Sequence, residues 1–322
     1  MSKINARYLV NSEQFVREPV DKEVNNILNS SRTKIILTGG KGVGKSTVLC
    51  SLENRGLGCK EQTIYDSPEP AIALAKEPNV IFDGRVFDYL SELRFTNNIL
   101  FYIKRNYPIV FQKHFERDME SVNYLLQKLY EQVNNIGVDD TPIECSYGIK
   151  ELSFDVLSRF RKIMGIDKLN IAIDKFDKIN GSSEYIQKTY EKFFDMFDRV
   201  IITSDDPSLD NERLLDKGYN LISISYGKDK DVLREIISRR ESLWEDSITC
   251  EGLFLTDLFL DRLIELNGNI DLSIEVIRYL NSFLVFYGNN YNIENELEKV
   301  IEEKKESSKT LERIISKPTL YL

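Results

Sequence analysis

Eight residues, Gly39-Gly40-Lys41-Gly42-Val43-Gly44-Lys45-Ser46, restrict what this chain can fold into more than any other stretch. Their spacing is G-x-x-x-x-G-K-[ST], carried by Gly39, Gly44, Lys45 and Ser46. Before them, Ile35, Ile36 and Leu37 predict a short buried parallel strand. After them, "KSTVLCSLENRG" predicts a helix that stops at Gly56, a residue type common at helix C-termini. Strand, glycine loop and helix form the context in which this spacing cradles phosphates. Glycine has no Cβ, so the backbone can come close to an anion. The N–H groups of Gly39 to Thr47 and the start of the helix then face it. Lys45 is expected to reach the β- and γ-phosphates of ATP, and Ser46 to bind Mg²⁺ through its hydroxyl. Thr47 is expected near the α-phosphate. Lys45 is further expected to be exposed before ligand arrives. The alternative is a glycine-rich turn with no ligand.

A phosphate loop of this kind needs an acidic strand end to organise magnesium. "KLNIAIDKFDKIN" supplies it: Leu169, Ile171, Ala172 and Ile173 predict a buried strand that ends at Asp174. A carboxylate there sits at the carboxyl edge of the sheet, where open α/β folds bind ligands. Asp83, at the end of "NVIFDG", competes for the role. Asp174 is preferred because another strand follows at the expected distance, "RVIITSDD", leading through Val200, Ile201 and Ile202 into Thr203, Ser204 and Asp205. Ser204 is taken as the polar group beside the γ-phosphate or the attacking water. Leu221 to Ser225 predict one more strand, and Asp66 is expected to end another.

Composition narrows the class. Hydrophobic residues make up 42% of the 322, enough for a real core. The net charge of −9 argues against a surface built for non-specific nucleic-acid binding. The scattered Cys50, Cys59, Cys145 and Cys250, with His114 as the one histidine, predict free buried thiols rather than a zinc or disulfide framework. No apolar run is long enough to span a membrane, and the N-terminal residues lack an apolar signal segment. These readings predict a cytoplasmic protein.

The segments "FVREPVDKEVNNILNSSRTKIILTGGKGVGKSTVL", "IAIDKFDKI", "RVIITSDD" and "ISISYGKDKDVLREIISRR" together resemble the AAA+ and STAND-type P-loop ATPases, nearest to the origin-recognition and archaeal-ATPase branch. The resemblance spans residues 15–285. It implies that Phe15-Val16-Arg17-Glu18 packs by the adenine. It also implies that "GNIDLSIEVIRYL" is a lid helix, and that Arg213 is an arginine finger acting on a neighbouring subunit. An exposed helix arginine is the plain alternative for Arg213, and Arg199 is a weaker finger candidate. Two departures stand out. Relatives place a water-polarising glutamate directly after the magnesium aspartate, but Lys175 stands there, and Asp177 is the next acid able to act as base. Where the lid of relatives carries a phosphate-sensing arginine, this chain reads Gly268, Asn269, Ile270, Asp271, with Arg278 two turns on.

The expected organisation is a doubly wound, mostly parallel α/β nucleotide domain over 1–225, with a helical insertion at about 86–160, and a helical lid over 226–322. The insertion interleaves Lys104, Arg105, Lys113, His114 and Arg117 with Phe101, Tyr102, Tyr107 and Phe111. Such a pattern is either a nucleic-acid surface or an amphipathic helix with a solvated basic face. The function expected is Mg²⁺-dependent ATP binding with slow hydrolysis, in which nucleotide state controls self-association or a protein partner. A non-hydrolysing ATP-dependent regulatory module is the alternative, and a small-molecule kinase a third class. DNA transactions, mobile-element functions and phage defence all employ proteins of the resembled group.

Overall fold

The computed structural model of the chain describes residues 17–66, 84–135, 149–176, 191, 193–204, 218–239, 251–266, 268–287 and 292–316. The chain divides into two compact units. One gathers 26–38 and 49–222; the other gathers 1–25, 39–48 and 223–322.

The first unit is built on five strands: β1 (Lys34–Thr38), β2 (Glu61–Asp66), β3 (Lys168–Ile173), β4 (Arg199–Ser204) and β5 (Asn220–Ser223). Their order across the sheet is β2-β3-β4-β1-β5. The pairs β1/β4, β2/β3 and β3/β4 are parallel. This is the mostly parallel α/β class expected from the sequence. The central strands β1, β3 and β4 carry apolar runs, as sheets covered on both faces require; Ile35, Ile36, Leu37, Ile171, Ala172, Ile173, Ile201 and Ile202 are all buried.

The order has a consequence for function. After β1 the chain passes to β2 on one side; after β4 it passes over β1 to β5 on the other. Adjacent β1 and β4 therefore send their connections in opposite directions. Such a switch point opens a crevice outside the carboxyl ends of its strands, the general ligand position in open α/β sheets. Thr38 and Ser204, the last residues of β1 and β4, are register partners there.

Helix α1 (Arg17–Asn29) precedes β1, and α2 (Lys45–Gly56) follows it. Between β2 and β3 lie α3 (Gly84–Asn106), α4 (Pro108–His114), α5 (Glu116–Asn135) and α6 (Ile149–Met164). Their inward side chains, Leu93, Ile99, Ile103, Phe115, Val122 and Phe160 among them, join the sheet in one core. The aromatics of the basic stretch serve that core. Tyr102 and Phe111 are buried, Tyr107 accepts the Gly58 N–H at 3.1 Å, and Phe101 alone of the four is exposed. Arg105 pairs with the buried Glu53, and Lys104 lies 5.5 Å from the centre of the Phe111 ring. The amphipathic-helix reading accounts for these residues.

Arg199 fastens the opposite edge of the sheet. It is 8% exposed and donates to the carbonyls of Leu28, Ser30 and Arg32 and to Glu61 Oε1. It thus caps the end of α1, and it is no finger. Arg199→Ala removes all four bonds and leaves several acceptors without a donor. The unfolding free energy should fall by about 3 kcal/mol, measurable by urea denaturation; a loss below about 1 kcal/mol would contradict the capping role. The thiols are partly as expected: Cys50 and Cys59 are free, but Cys59 is exposed. Burial pushes the Cys50 thiol up to about 12, with Glu53 and Asp174 adding to the effect. Cys145 and Cys250 lie outside the described residues.

The second unit carries a 3₁₀ turn (Tyr226–Lys228) and the helices α7 (Lys230–Ser238), α8 (Glu251–Phe254), α9 (Asp257–Ile264), α10 (Ile270–Tyr287) and α11 (Ile293–Ser316). Asp229 caps α7 by accepting the N–H groups of Asp231 and Val232. A separate core of Leu233, Phe254, Phe259, Leu263, Ile277, Leu280 and Leu297 holds these helices together. Among the described residues, no helix is long and apolar enough to cross a membrane.

Candidate functional site

The glycine loop runs straight from the carboxyl end of β1 into α2. Gly39, Gly42 and Gly44 have φ of 147°, 78° and 107°, values that L side chains rarely adopt. Gly44 closes the loop by accepting the N–H groups of Thr47 and Val48 at 3.1 and 3.2 Å, which starts the helix. Val43 is buried and anchors the loop, while Lys41 is exposed.

Lys45 departs from expectation. It is 5% exposed, and its ammonium donates to the carbonyls of Gly39 at 2.7 Å and Gly40 at 2.8 Å. A cation that must leave bulk water takes the nearest acceptors, and the loop supplies them. The ammonium is thereby held within the loop.

The glycines also serve a second purpose. A Cβ on Gly39 would collide with the Ile224 carbonyl, and one on Gly42 with the Asn269 side chain. One on Gly44 would come 2.9 Å from the Tyr226 ring, whose hydroxyl donates to the Pro19 carbonyl at 3.1 Å. Three positions read as room for phosphate are thus also room for residues 224–269. The sequence carries no signal of that, because the partners lie far along the chain.

In the other unit, Asp174 directly follows β3, as expected, and is 1% exposed. Its Oδ1 accepts the Thr203 hydroxyl at 2.7 Å and its Oδ2 the Tyr65 hydroxyl at 3.1 Å. Its own N–H donates to the Asp66 carbonyl at 2.9 Å. Asp66 ends β2, also as expected, and its Oδ1 accepts Asn98 Nδ2 at 2.6 Å. Two hydroxyl donors, one on each oxygen, orient the Asp174 carboxylate.

Ser204 ends β4 and is buried. Its neighbour Thr203 is the β4 residue whose hydroxyl donates to Asp174. Thr203 Oγ1 also accepts the Lys175 N–H at 2.6 Å, and its carbonyl accepts the Phe176 N–H at 2.9 Å. Lys175 is held at φ 56°, the one positive φ outside glycine among the described residues. Such strain in a long side chain persists only where its surroundings enforce it. Thr203 and Tyr65 are the site residues that sequence reasoning missed. Thr203 was visible in "RVIITSDD" as one of three polar residues; nothing local marks Tyr65.

Asp83, Asp177, Asp205, Arg213 and the Phe15-Val16 pair lie outside the described residues. Among those described, no group of three or more His, Cys, Asp or Glu side chains could hold a metal alone. Magnesium accompanying a nucleotide needs only one or two protein oxygens beside phosphate and water. A buried carboxylate oriented by hydroxyls and a hydroxyl at a helix start are hard oxygen donors of that kind.

No family model matches the sequence. Among solved structures, the chain is similar to AMPPCP-bound DnaA from Aquifex aeolicus at 15% identity and a TM-score of 0.38, with 93% of this chain and 67% of that one covered.

Proposed function

We propose that the chain is a magnesium-dependent ATP-binding protein and a slow ATPase whose nucleotide state controls its self-association or its hold on a protein partner. The observation that carries this reading is the loop Gly39–Thr47. It leaves β1 beside the switch point of a parallel sheet, adopts glycine-only backbone angles, and holds the Lys45 ammonium on its own carbonyls. When ATP binds, Lys45 exchanges those carbonyls for the β- and γ-phosphates. The backbone N–H groups of Gly40 to Thr47 face the phosphate chain, Thr47 nearest the α-phosphate. Ser46 and Asp174 would hold Mg²⁺, which would supply charge neutralisation to the phosphate chain. Thr203 and Tyr65 keep Asp174 aimed. Asp177 takes the proton of the attacking water and Ser204 helps place that water. The new bond joins water oxygen to the γ-phosphorus, and the bond to ADP breaks. Arg213 acts on the nucleotide of a neighbouring subunit.

Thermal unfolding tests the reading. A protein at 100 times its dissociation constant in Mg²⁺-ATP gains about 2.7 kcal/mol, so the midpoint should rise by several degrees, and by less without Mg²⁺. An unchanged midpoint at millimolar ATP would contradict nucleotide binding. Turnover per chain should rise with protein concentration, and constant specific activity of a monomer by light scattering would reject Arg213 as a finger.

A non-hydrolysing regulatory module is the second reading, favoured by Lys175 at φ 56° directly after Asp174. Phosphate release separates the two: binding without release at any protein concentration supports the module.

A further inference from the structure

The start of α10 is tied to the glycine loop at one point. The Ile270 N–H donates to the Gly42 carbonyl at 3.0 Å. The Asn269 side chain fills the space a Cβ on Gly42 would need. Asn269 is itself held from the helix side: its Oδ1 accepts the Leu272 N–H at 3.0 Å, and its carbonyl accepts the Ser273 N–H and hydroxyl, each at 3.0 Å. It is the N-cap of α10, and the loop carbonyl satisfies one of the N–H groups that every helix start leaves without an internal partner.

This geometry fixes one peptide group of the loop. In a planar trans peptide, the carbonyl of one residue and the N–H of the next point in opposite directions. With the Gly42 carbonyl held toward α10, the Val43 N–H must point away from α10. Holding a donor in place beforehand removes an ordering cost from anion binding. The first two turns of α10, Ile270 to Ile277, contain Asp271 and Glu275 and no cation. They carry no cationic side chain with which to grip a terminal phosphate directly.

We infer that Asn269 and the Ile270 N–H position the Val43 N–H for the diphosphate part of a nucleotide through Gly42, so that α10 responds to ADP as it does to ATP. The inference rests on the nucleotide reading above and deepens it. Asn269 is a positioning residue: it acts on the ligand only through the loop.

Calorimetry with ADP and with a non-hydrolysable ATP analogue tests it. Asn269→Ala should weaken both by the same factor, on the order of fivefold. A loss confined to the ATP analogue would make Asn269 a γ-phosphate reader and overturn the inference. No loss for either would reduce Asn269 to a helix cap and overturn it equally. A double-mutant cycle on the unliganded protein tests the contact independently of nucleotide. Gly42→Ala should lower the unfolding midpoint markedly in the wild type and less in an Asn269→Gly background, where the collision is relieved. Additive effects would overturn the contact as a coupling. Non-additive effects in a protein that binds no nucleotide would uphold the coupling and overturn the reading of the site alone.

Discussion

Asp174→Asn is expected to abolish the magnesium dependence of ATP binding and to cut turnover by about 10²- to 10⁴-fold. Both Asp174 oxygens accept hydroxyl protons, from Thr203 and from Tyr65. An asparagine offers one acceptor oxygen and one NH₂, so one hydroxyl faces a donor, and the negative charge for Mg²⁺ is gone. Asp177→Asn should behave differently. It should bind Mg²⁺-ATP as the wild type does and lose turnover by a similar factor, because it removes the proton acceptor alone. Tyr65→Phe deletes one orienting donor and should cost about tenfold in apparent Mg²⁺ affinity. Binding assays with and without Mg²⁺, run beside phosphate release, separate the three. Magnesium-dependent binding that survives Asp174→Asn would remove Asp174 from the metal site. Wild-type turnover in Asp177→Asn would remove Asp177 as the base.

Lys45→Met should weaken ATP binding by about 100-fold, or roughly 2.7 kcal/mol. The loss is large because the contact proposed for the Lys45 ammonium on two phosphates is charge-assisted. The burial of Lys45 shapes the choice of variant. Its ammonium bonds the Gly39 and Gly40 carbonyls, so alanine would leave both a void and two freed acceptors. Methionine keeps the length and packing of the chain. Gly40 is exposed, so water can take over its carbonyl, and the variant should unfold within about 1 kcal/mol of the wild type.

The strands, the loop and α2 were legible because their signals are local. Ile35-Ile36-Leu37 reads as a buried strand from three neighbours, and Asp174 as a strand end from four, Leu169, Ile171, Ala172 and Ile173. Gly39, Gly42 and Gly44 announce backbone freedom wherever it is needed. What that freedom meets was not legible: Ile224, Asn269 and Tyr226 reach the loop only once the chain has folded back. The same holds for Asp174. The hydroxyls on its two oxygens come from Tyr65 and Thr203, brought together by the β2-β3-β4 pairing rather than by spacing along the chain. Arg199, the weaker finger candidate because it stands at a strand start, spends its donors on the end of α1 and on Glu61, partners that its sequence neighbours do not announce. Side-chain direction in a strand alternates, so the contact of Thr203 with Asp174 depended on register, which pairing decides.

The most direct measurement is isothermal calorimetry of ATP into the wild-type chain and into Lys45→Met, both in Mg²⁺ and both confirmed folded by their unfolding midpoints. The account predicts saturable one-site binding to the wild type and affinity about 100-fold weaker in the variant. Equal affinity in the two, or no heat of binding to a folded wild-type chain, would contradict it.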